Sequence, residues 1–240
     1  MLNRIKLLFA VSTICATAVF GQASVNCLGL PTAAQLKKHL AAAAAIPNAG
    51  GLFQGAKMWA AVVNRSGQIC AAATSTSDPT QVWPGSQAIA KAKAYTANAF
   101  SLDSLALSTA RLYTFTQPGH SLWSLGQSNL FNPTALAPPS GGGTGSIAGG
   151  LIFFGGVVGL YNAAGKIIGG LGISGDTSCT DHEIAKRVRN LATLNPPGGA
   201  LVDDITYSGA DGASVFTHPL CPNTWRNGLS IGTEAVAVGY

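Results

Sequence analysis

The sequence predicts an α+β fold, and three observations carry that expectation. Two pairs of apolar β-runs are each joined by a short polar turn, at 58–74 and 151–174. Four helical segments lie before, between and after these hairpins. The resulting order, helix, hairpin, two helices, hairpin, helix, suits an antiparallel sheet rather than a doubly wound parallel one.

Residues 1–23 read as a signal peptide, outside the fold. Arg4 and Lys6 form a basic start, Leu7 to Phe20 is an apolar run, and Gly21-Gln22-Ala23 supplies small residues at a cleavage site. The run is short for a membrane span, and no later stretch is apolar enough to be one. Cys15 in "TICA" makes a poor lipid-attachment site because Ser12 stands where an aliphatic residue is expected. The expectation is a secreted or periplasmic protein, free of the membrane after cleavage.

About 217 residues then remain, enough to bury a substantial core. The formal charge of +5 drops to +3 without Arg4 and Lys6. The basic residues are scattered as Lys37-Lys38, Lys91/Lys93 and Lys186-Arg187/Arg189 with no interleaved aromatics, which argues against a nucleic-acid partner. Without Cys15 four cysteines are left, Cys27, Cys70, Cys179 and Cys221, and no C-x-x-C occurs. An even, widely spaced set in an exported chain predicts two disulfides. Three connectivities are open, and proximity in sequence favours Cys27–Cys70 with Cys179–Cys221.

The elements follow in order. "PTAAQLKKHLAAAAA" (31–45) predicts a helix, with Pro31 in its first turn, Leu36 and Leu40 four apart, and Pro47 and Gly50-Gly51 ending it. "MWAAVVNRSGQICAAAT" (58–74) predicts a hairpin turning at Asn64-Arg65-Ser66-Gly67. Ser86 is the expected N-cap of a helix to Phe100, whose Ile89, Ala92, Thr96 and Ala99 share one face while Lys91 and Lys93 point away. A further helix is expected from Leu102 to Phe115. Residues 117–150, rich in Pro, Gly and Ser, form an inserted loop, either a mobile excursion or a contact between copies. "LIFFGGVVGLY" and "KIIGGLGIS" are two strands joined by "NAAG". Thr180-x-x-Glu183 is a capping-box pattern opening a helix to about Leu194, which Pro196-Pro197 stops. The domain thus spans 24–197, and 198–240 is a C-terminal extension packed on it.

The stretch "GGLGISGDTSCTDHEIAKRVR" (169–189) concentrates the chemistry-bearing residue types. Gly170, Gly172 and Gly175 match G-x-G-x-x-G, but the helix is expected to start beyond the glycines, whereas a dinucleotide fingerprint needs its N-terminus on the phosphates. The glycines fit strand packing and a sharp exit better. Ser174, Ser178, Asp181 and His182 are close in sequence, which says little about a triad. The single G-x-S-x-G, at 228–232, has no histidine after it, so the α/β-hydrolase order is impossible. Asp181 and Glu183 suit the first turn of a helix on electrostatic grounds alone. His182 there is either a metal ligand or a core or surface histidine.

The same stretch resembles the C-terminal signature of the GlcG/HbpS-like haem-binding family. "MWAAVVNRSGQICAAA" is similar to that family's first hairpin, "WPGSQAIAKAKAYTANAFS" to its Ser-initiated helix, and "GGLIFFGGVVGLYNAAGKIIGGLGISG" to its second hairpin. Together these blocks cover roughly 33–194. The Gly-Asp-Thr-Ser-Cys turn and His218-Pro219-Leu220-Cys221 look like those of exported members. The resemblance implies a profilin-like α/β/α sandwich around a five-stranded antiparallel sheet, a homo-oligomer, and haem or a related tetrapyrrole as ligand. The PduO C-terminal domain is related. No axial ligand transfers from it, and the 117–150 insertion and the tail after Pro197 depart from the pattern.

Iron needs an N, S or O donor, and a porphyrin needs an apolar slot with cations for its propionates. His182 is the first candidate, with Lys186 and Arg189 following at i+4 and i+7 as propionate partners or as a solvated basic face. His120, in "QPGHSLW", has Leu122 and Trp123 beside it to wall a ring. His218 precedes a proline and an expected disulfide. His39 lies beside Lys37-Lys38 on an outer helix, and Met58 starts a strand. Three functions stay open: haem binding without turnover, a haem-dependent oxidative or haem-degrading enzyme, and a non-haem module for a small molecule or protein partner.

Overall fold

Along β1 (Trp59–Asn64) every residue is buried, so the strand must be covered on both faces. The computed structural model describes residues 26–136 and 143–235, and the expected signal peptide lies outside them. β1 pairs antiparallel with β2 (Ile69–Thr74) on one side and β4 (Ile167–Ser174) on the other, and β3 (Val157–Tyr161) pairs with β4. The sheet order is β2-β1-β4-β3.

The two-residue side-chain period divides the core into two layers. Ala60, Val62, Leu171 and Ile173 point to the face covered by α1 (Ala33–Ala45) and α4 (Ser178–Leu191), where they meet Leu36, Leu40, Ile184 and Val188. Trp59, Ala61 and Val63 point to the opposite face and pack on Ala90 and Ala94 of α2 (Ser86–Phe100). The result is an α/β/α sandwich on an antiparallel sheet.

On the α2 face β4 presents Gly170 and Gly172. A Cβ on Gly172 would run into Ala90 O and Ala94 N, and one on Gly170 into Ala94 O and Asn98 N. The helix therefore lies directly on the strand backbone. Gly175, at φ +153°, leaves no room for a Cβ beside Lys57 O. The G-x-G-x-x-G match is thus explained by packing, and α4 begins only at Ser178, beyond it.

Several sequence expectations need correction. Among the described residues the main sheet has four strands, one fewer than the resemblance implied. At the β2 end the glycine-rich 143–147 segment makes isolated bonds, Ile69 N to Ser146 O and Gly145 N to Ile69 O, and a single Gln68–Ile147 bridge in place of a fifth strand. Residues 102–115 are not an α-helix. They form short 3-10 turns, Thr109–Leu112 and Thr114–Thr116, because Ser101, Ser108 and Thr109 hydroxyls bond Leu107 O, Asp203 O and Phe154 O. Residues 151–156 precede β3 rather than belonging to it. Lys91 and Lys93 do not face solvent: both are fully buried, Lys91 bonding Ala135 O and Lys93 bonding Asp181 and Ile173 O.

Both favoured disulfides form, Cys27–Cys70 and Cys179–Cys221. Their sequence separations of 43 and 42 residues give each about 4 kcal/mol of denatured-state restriction in the chain-entropy account. The first ties the entry of α1 to β2, and the second ties α4 to the C-terminal segment. Within 117–150 the described part contains one-turn α3 (Leu125–Ser128) and is tied to the body by Lys91 Nζ to Ala135 O and Ile69 N to Ser146 O. After Pro197 come β5 (Thr206–Tyr207), α5 (Ser208–Asp211), β6 (Thr217–His218), β7 (Thr224–Arg226) and β8 (Leu229–Gly232). β5 pairs with β6, and β7 with β8. Among the described residues no helix is long and apolar enough to cross a membrane.

Candidate functional site

α4 starts one turn earlier than the Thr180-x-x-Glu183 pattern suggests. Thr177 is the N-cap, its hydroxyl accepting from Thr180 N, and Glu183 turns instead to Lys186 and Arg187. Just ahead, the Asp176 carboxylate accepts from Leu52 N at 2.7 Å and Phe53 N at 2.8 Å, fastening the 50–55 loop over the helix start.

Only Ile184, Ala185 and Val188 of α4 enter the main core, yet most of the helix is buried. The C-terminal segment covers the rest and matches its charges. Arg189 makes a two-pronged pair with Asp203, at 2.6 and 2.9 Å, with both side chains fully buried. Lys186 reaches Asp204 at 2.6 Å and Glu183 at 3.0 Å. On the sheet side Lys93 meets Asp181 at 2.7 Å, and burial still pushes the Asp181 carboxyl up to about 6. For Asp204 burial acts upward too, but the adjoining His182 ring and Lys186 charge outweigh it and hold the carboxyl well below the usual range.

His182 is completely buried in this setting. Its Nε2 lies 3.5 Å from Asp204 Oδ1, and neither ring nitrogen finds a hydrogen-bond partner. Burial, the largest influence, keeps the imidazole neutral by lowering its pKa. Gly155 sits between His182 and His218: a Cβ there would stand 3.1 Å from His182 Cβ, and its N–H donates to His218 Nε2 at 3.2 Å. His218 is held on the other side by Pro219 O, 2.7 Å from Nδ1, and burial lowers its pKa to about 4. Tyr207 stands edge-on to the His218 ring, with centroids 6.4 Å apart, and its buried hydroxyl is also unpartnered.

Next to His218 an aromatic groove opens. Tyr113 stacks obliquely on His218 with ring centroids 5.0 Å apart. From there a groove of about 320 Å³ runs between the 113–127 segment and residues 151–154, with Leu151, Ile152, Phe153 and Phe154 on one wall. Thr116, Gln117, Ser124 and Gln127 give it a polar rim. His120 is exposed on the loop between Gln117 and Ser124, outside the groove's lining. Trp123 beside it is half exposed.

The structure therefore sets His182 and Lys186 of α4 against the C-terminal segment that carries His218, places Arg189 one turn further on with Asp203, and leaves His120 apart on an exposed loop. Lys186 and Arg189 are not a solvated basic face, since both are buried and ion-paired. His39 is half-buried on α1, and Met58 is in the core. Sequence reasoning missed Tyr113, Phe153 and Phe154 as a lining. Their only signal was an aromatic pair, Phe153-Phe154, standing just before a glycine-broken strand.

Among solved structures the chain is similar to the PduOC:haem complex, at 24% identity over 65% of this chain and 88% of that one, with a TM-score of 0.46. It is also similar to the Klebsiella pneumoniae protein ORFY, at 21% identity over 68% and 90% with a TM-score of 0.45. HbpS follows at 19% identity over 67% and 89%, with a TM-score of 0.43. No curated protein matches the sequence. The family model described as haem degrading protein HbpS-like matches residues 32–189, from the N-cap of α1 to Arg189 near the end of α4. The chain belongs to the HbpS-like family.

Proposed function

We propose that this protein is exported and binds haem in the aromatic groove between residues 113–127 and 151–154. The observation that carries the reading is the groove's lining. Four apolar side chains and Tyr113 offer a face for a planar macrocycle, and the His218 imidazole stands against Tyr113. Family membership supplies haem as the ligand to test. At about 320 Å³ the groove is near the lower end of the ~300–1,000 Å³ usual for ligand pockets, so it receives one edge of the ring and leaves the rest exposed. The α/β/α layering supports the profilin-like reading of the scaffold.

Among the nitrogen donors His120 is the most available, being exposed on the loop that joins the groove residues Gln117 and Ser124. His218 already uses both ring nitrogens, toward Pro219 O and Gly155 N. His182 has two free nitrogens but is enclosed, and reaching it means lifting the C-terminal segment. Lys186 and Arg189 would have to surrender buried partners to hold propionates, and breaking one such pair costs about 3–5 kcal/mol. We assign those two residues to fastening the segment, and give the carboxylates to Ser124 and Gln127 on the rim. Export is supported by the character of residues 1–23 together with two disulfides.

The test is a haem titration followed at the Soret band, with His120→Ala, His182→Ala and His218→Ala alongside the parent. A saturable shift weakened by His120→Ala supports the assignment. A spectrum indistinguishable from free haem sinks haem binding altogether. The family's description names degradation, so a second reading is turnover: bound haem supplies redox-active iron. Adding peroxide or a reductant to the loaded protein and following loss of the band with release of product distinguishes it from storage. Sedimentation of the loaded and haem-free protein reads the oligomer that the resemblance implies.

A further inference from the structure

The Cys179–Cys221 disulfide has an unusual neighbour. Both sulfurs and a His218 ring nitrogen lie within 4.8 Å of one another. Among the described residues no comparable donor set surrounds Cys27–Cys70. We propose that the disulfide masks a metal site: when a dithiol opens it, the two thiolates and His218 Nε2 bind one zinc-class divalent cation.

The surroundings are built for that. His218 Nδ1 lies 2.7 Å from Pro219 O, the arrangement in which the second ring nitrogen of a metal-binding histidine is fixed by a backbone carbonyl. This leaves the Nε2 lone pair on the sulfur side, where Gly155 N–H now occupies it. Cys221 Sγ accepts from Cys179 N at 3.2 Å, in the first turn of α4. That donor and the positive end of the helix stabilise a thiolate there. Ser178 Oγ stands 3.4 Å from Cys221 Sγ and 3.5 Å from His218 Nε2, so an oxygen is at hand for the fourth tetrahedral position. Two thiolates with one imidazole are a donor set that suits zinc. A groove of about 320 Å³ with His218, Pro219 and Leu220 in its lining opens this region to small molecules.

The chemistry balances in two steps. A dithiol reduces the S–S bond, becoming a cyclic disulfide and delivering two electrons and two protons to Cys179 and Cys221. The cation then displaces both protons to solvent as the thiolates bind it.

The test uses haem-free protein, reduced with a dithiol that is then removed without oxygen, and titrated with Co(II) before Zn(II) displacement. One equivalent of Co(II) is expected to give tetrahedral and thiolate charge-transfer bands in the reduced protein and none in the oxidised protein. His218→Ala loses those bands, while Cys27→Ser/Cys70→Ser keeps them. Circular dichroism reports the fold throughout. Cobalt held by unfolded thiols would be indifferent to His218→Ala and would fall with Cys27→Ser/Cys70→Ser, and that result overturns the proposal. So does a reduced parent with no more thiolate band than Cys179→Ser/Cys221→Ser.

Discussion

Gly172→Ala tests how closely α2 is laid on the sheet. A Cβ on Gly172 would stand 2.5 Å from Ala94 N and 2.9 Å from Lys93 Cβ, with Ala90 O closer still. Comfortable separations begin at about 3.5 Å, so α2 must lift by about 1.5 Å. The obstacle is helix backbone, which has no rotamer to escape into. Overpacking of this kind costs about 1–3 kcal/mol, and the rigid obstacle puts it at the upper end. The lift also pulls Lys93 from Asp181, now 2.7 Å apart in a dry setting. A loss of roughly 3 kcal/mol in a domain of this size lowers the melting temperature by about 6–12 °C. The assay is thermal or urea unfolding with both disulfides intact. Gly209→Ala is the control, because a Cβ there meets nothing within 4 Å. If Gly172→Ala proves as stable as Gly209→Ala, the packing account of the glycine motif is wrong.

Three further outcomes are expected. Asp203→Ala leaves Arg189 buried without its two-pronged partner and costs about 3–5 kcal/mol, read by urea denaturation. Tyr207→Phe removes a hydroxyl with no partner and leaves stability level or improved, whereas Tyr161→Phe loses the bond to Leu102 O at 2.9 Å and costs about 1 kcal/mol. Burial raises the pKa of both phenols, so the native state keeps protons that the unfolded chain releases. Their contribution is therefore full below about pH 10 and falls as pH rises through it. Unfolding at mildly and strongly alkaline pH, with each phenylalanine variant, separates the two groups.

Much of the scaffold was legible because it rests on local pattern. The paired apolar runs in 58–74 and the helical spacing in 31–45 and 87–100 needed no partner to be read. Two of the failures share one cause, bonds that close over long sequence distances. Leu102–Phe115 has helical spacing, yet Ser108 and Thr109 hydroxyls are held by Asp203 O and Phe154 O. Lys91 and Lys93 looked solvated because nothing local announces Ala135 O or Asp181 as their partners. The Thr180–Glu183 pattern was real but unused, since Thr177 lay one turn earlier and Glu183 had Arg187 and Lys186 to satisfy. At the site the sequence pointed to His182 as the first candidate ligand. Its enclosure was invisible, because Asp204 reaches it from a segment whose own pattern is irregular.

The groove itself can be filled from inside. Gly126 faces it, and a Cβ there would lie 3.5 Å from the Phe153 ring and 3.4 Å from Leu151 O, ordinary contact without strain. Gly126→Trp should leave the fold intact and place an indole where the macrocycle edge would go. The decisive measurement is the Soret titration of Gly126→Trp against the parent protein. The account predicts a saturable shift in the parent that the tryptophan abolishes or weakens severely. An undiminished shift in a folded Gly126→Trp protein would contradict it and place haem elsewhere.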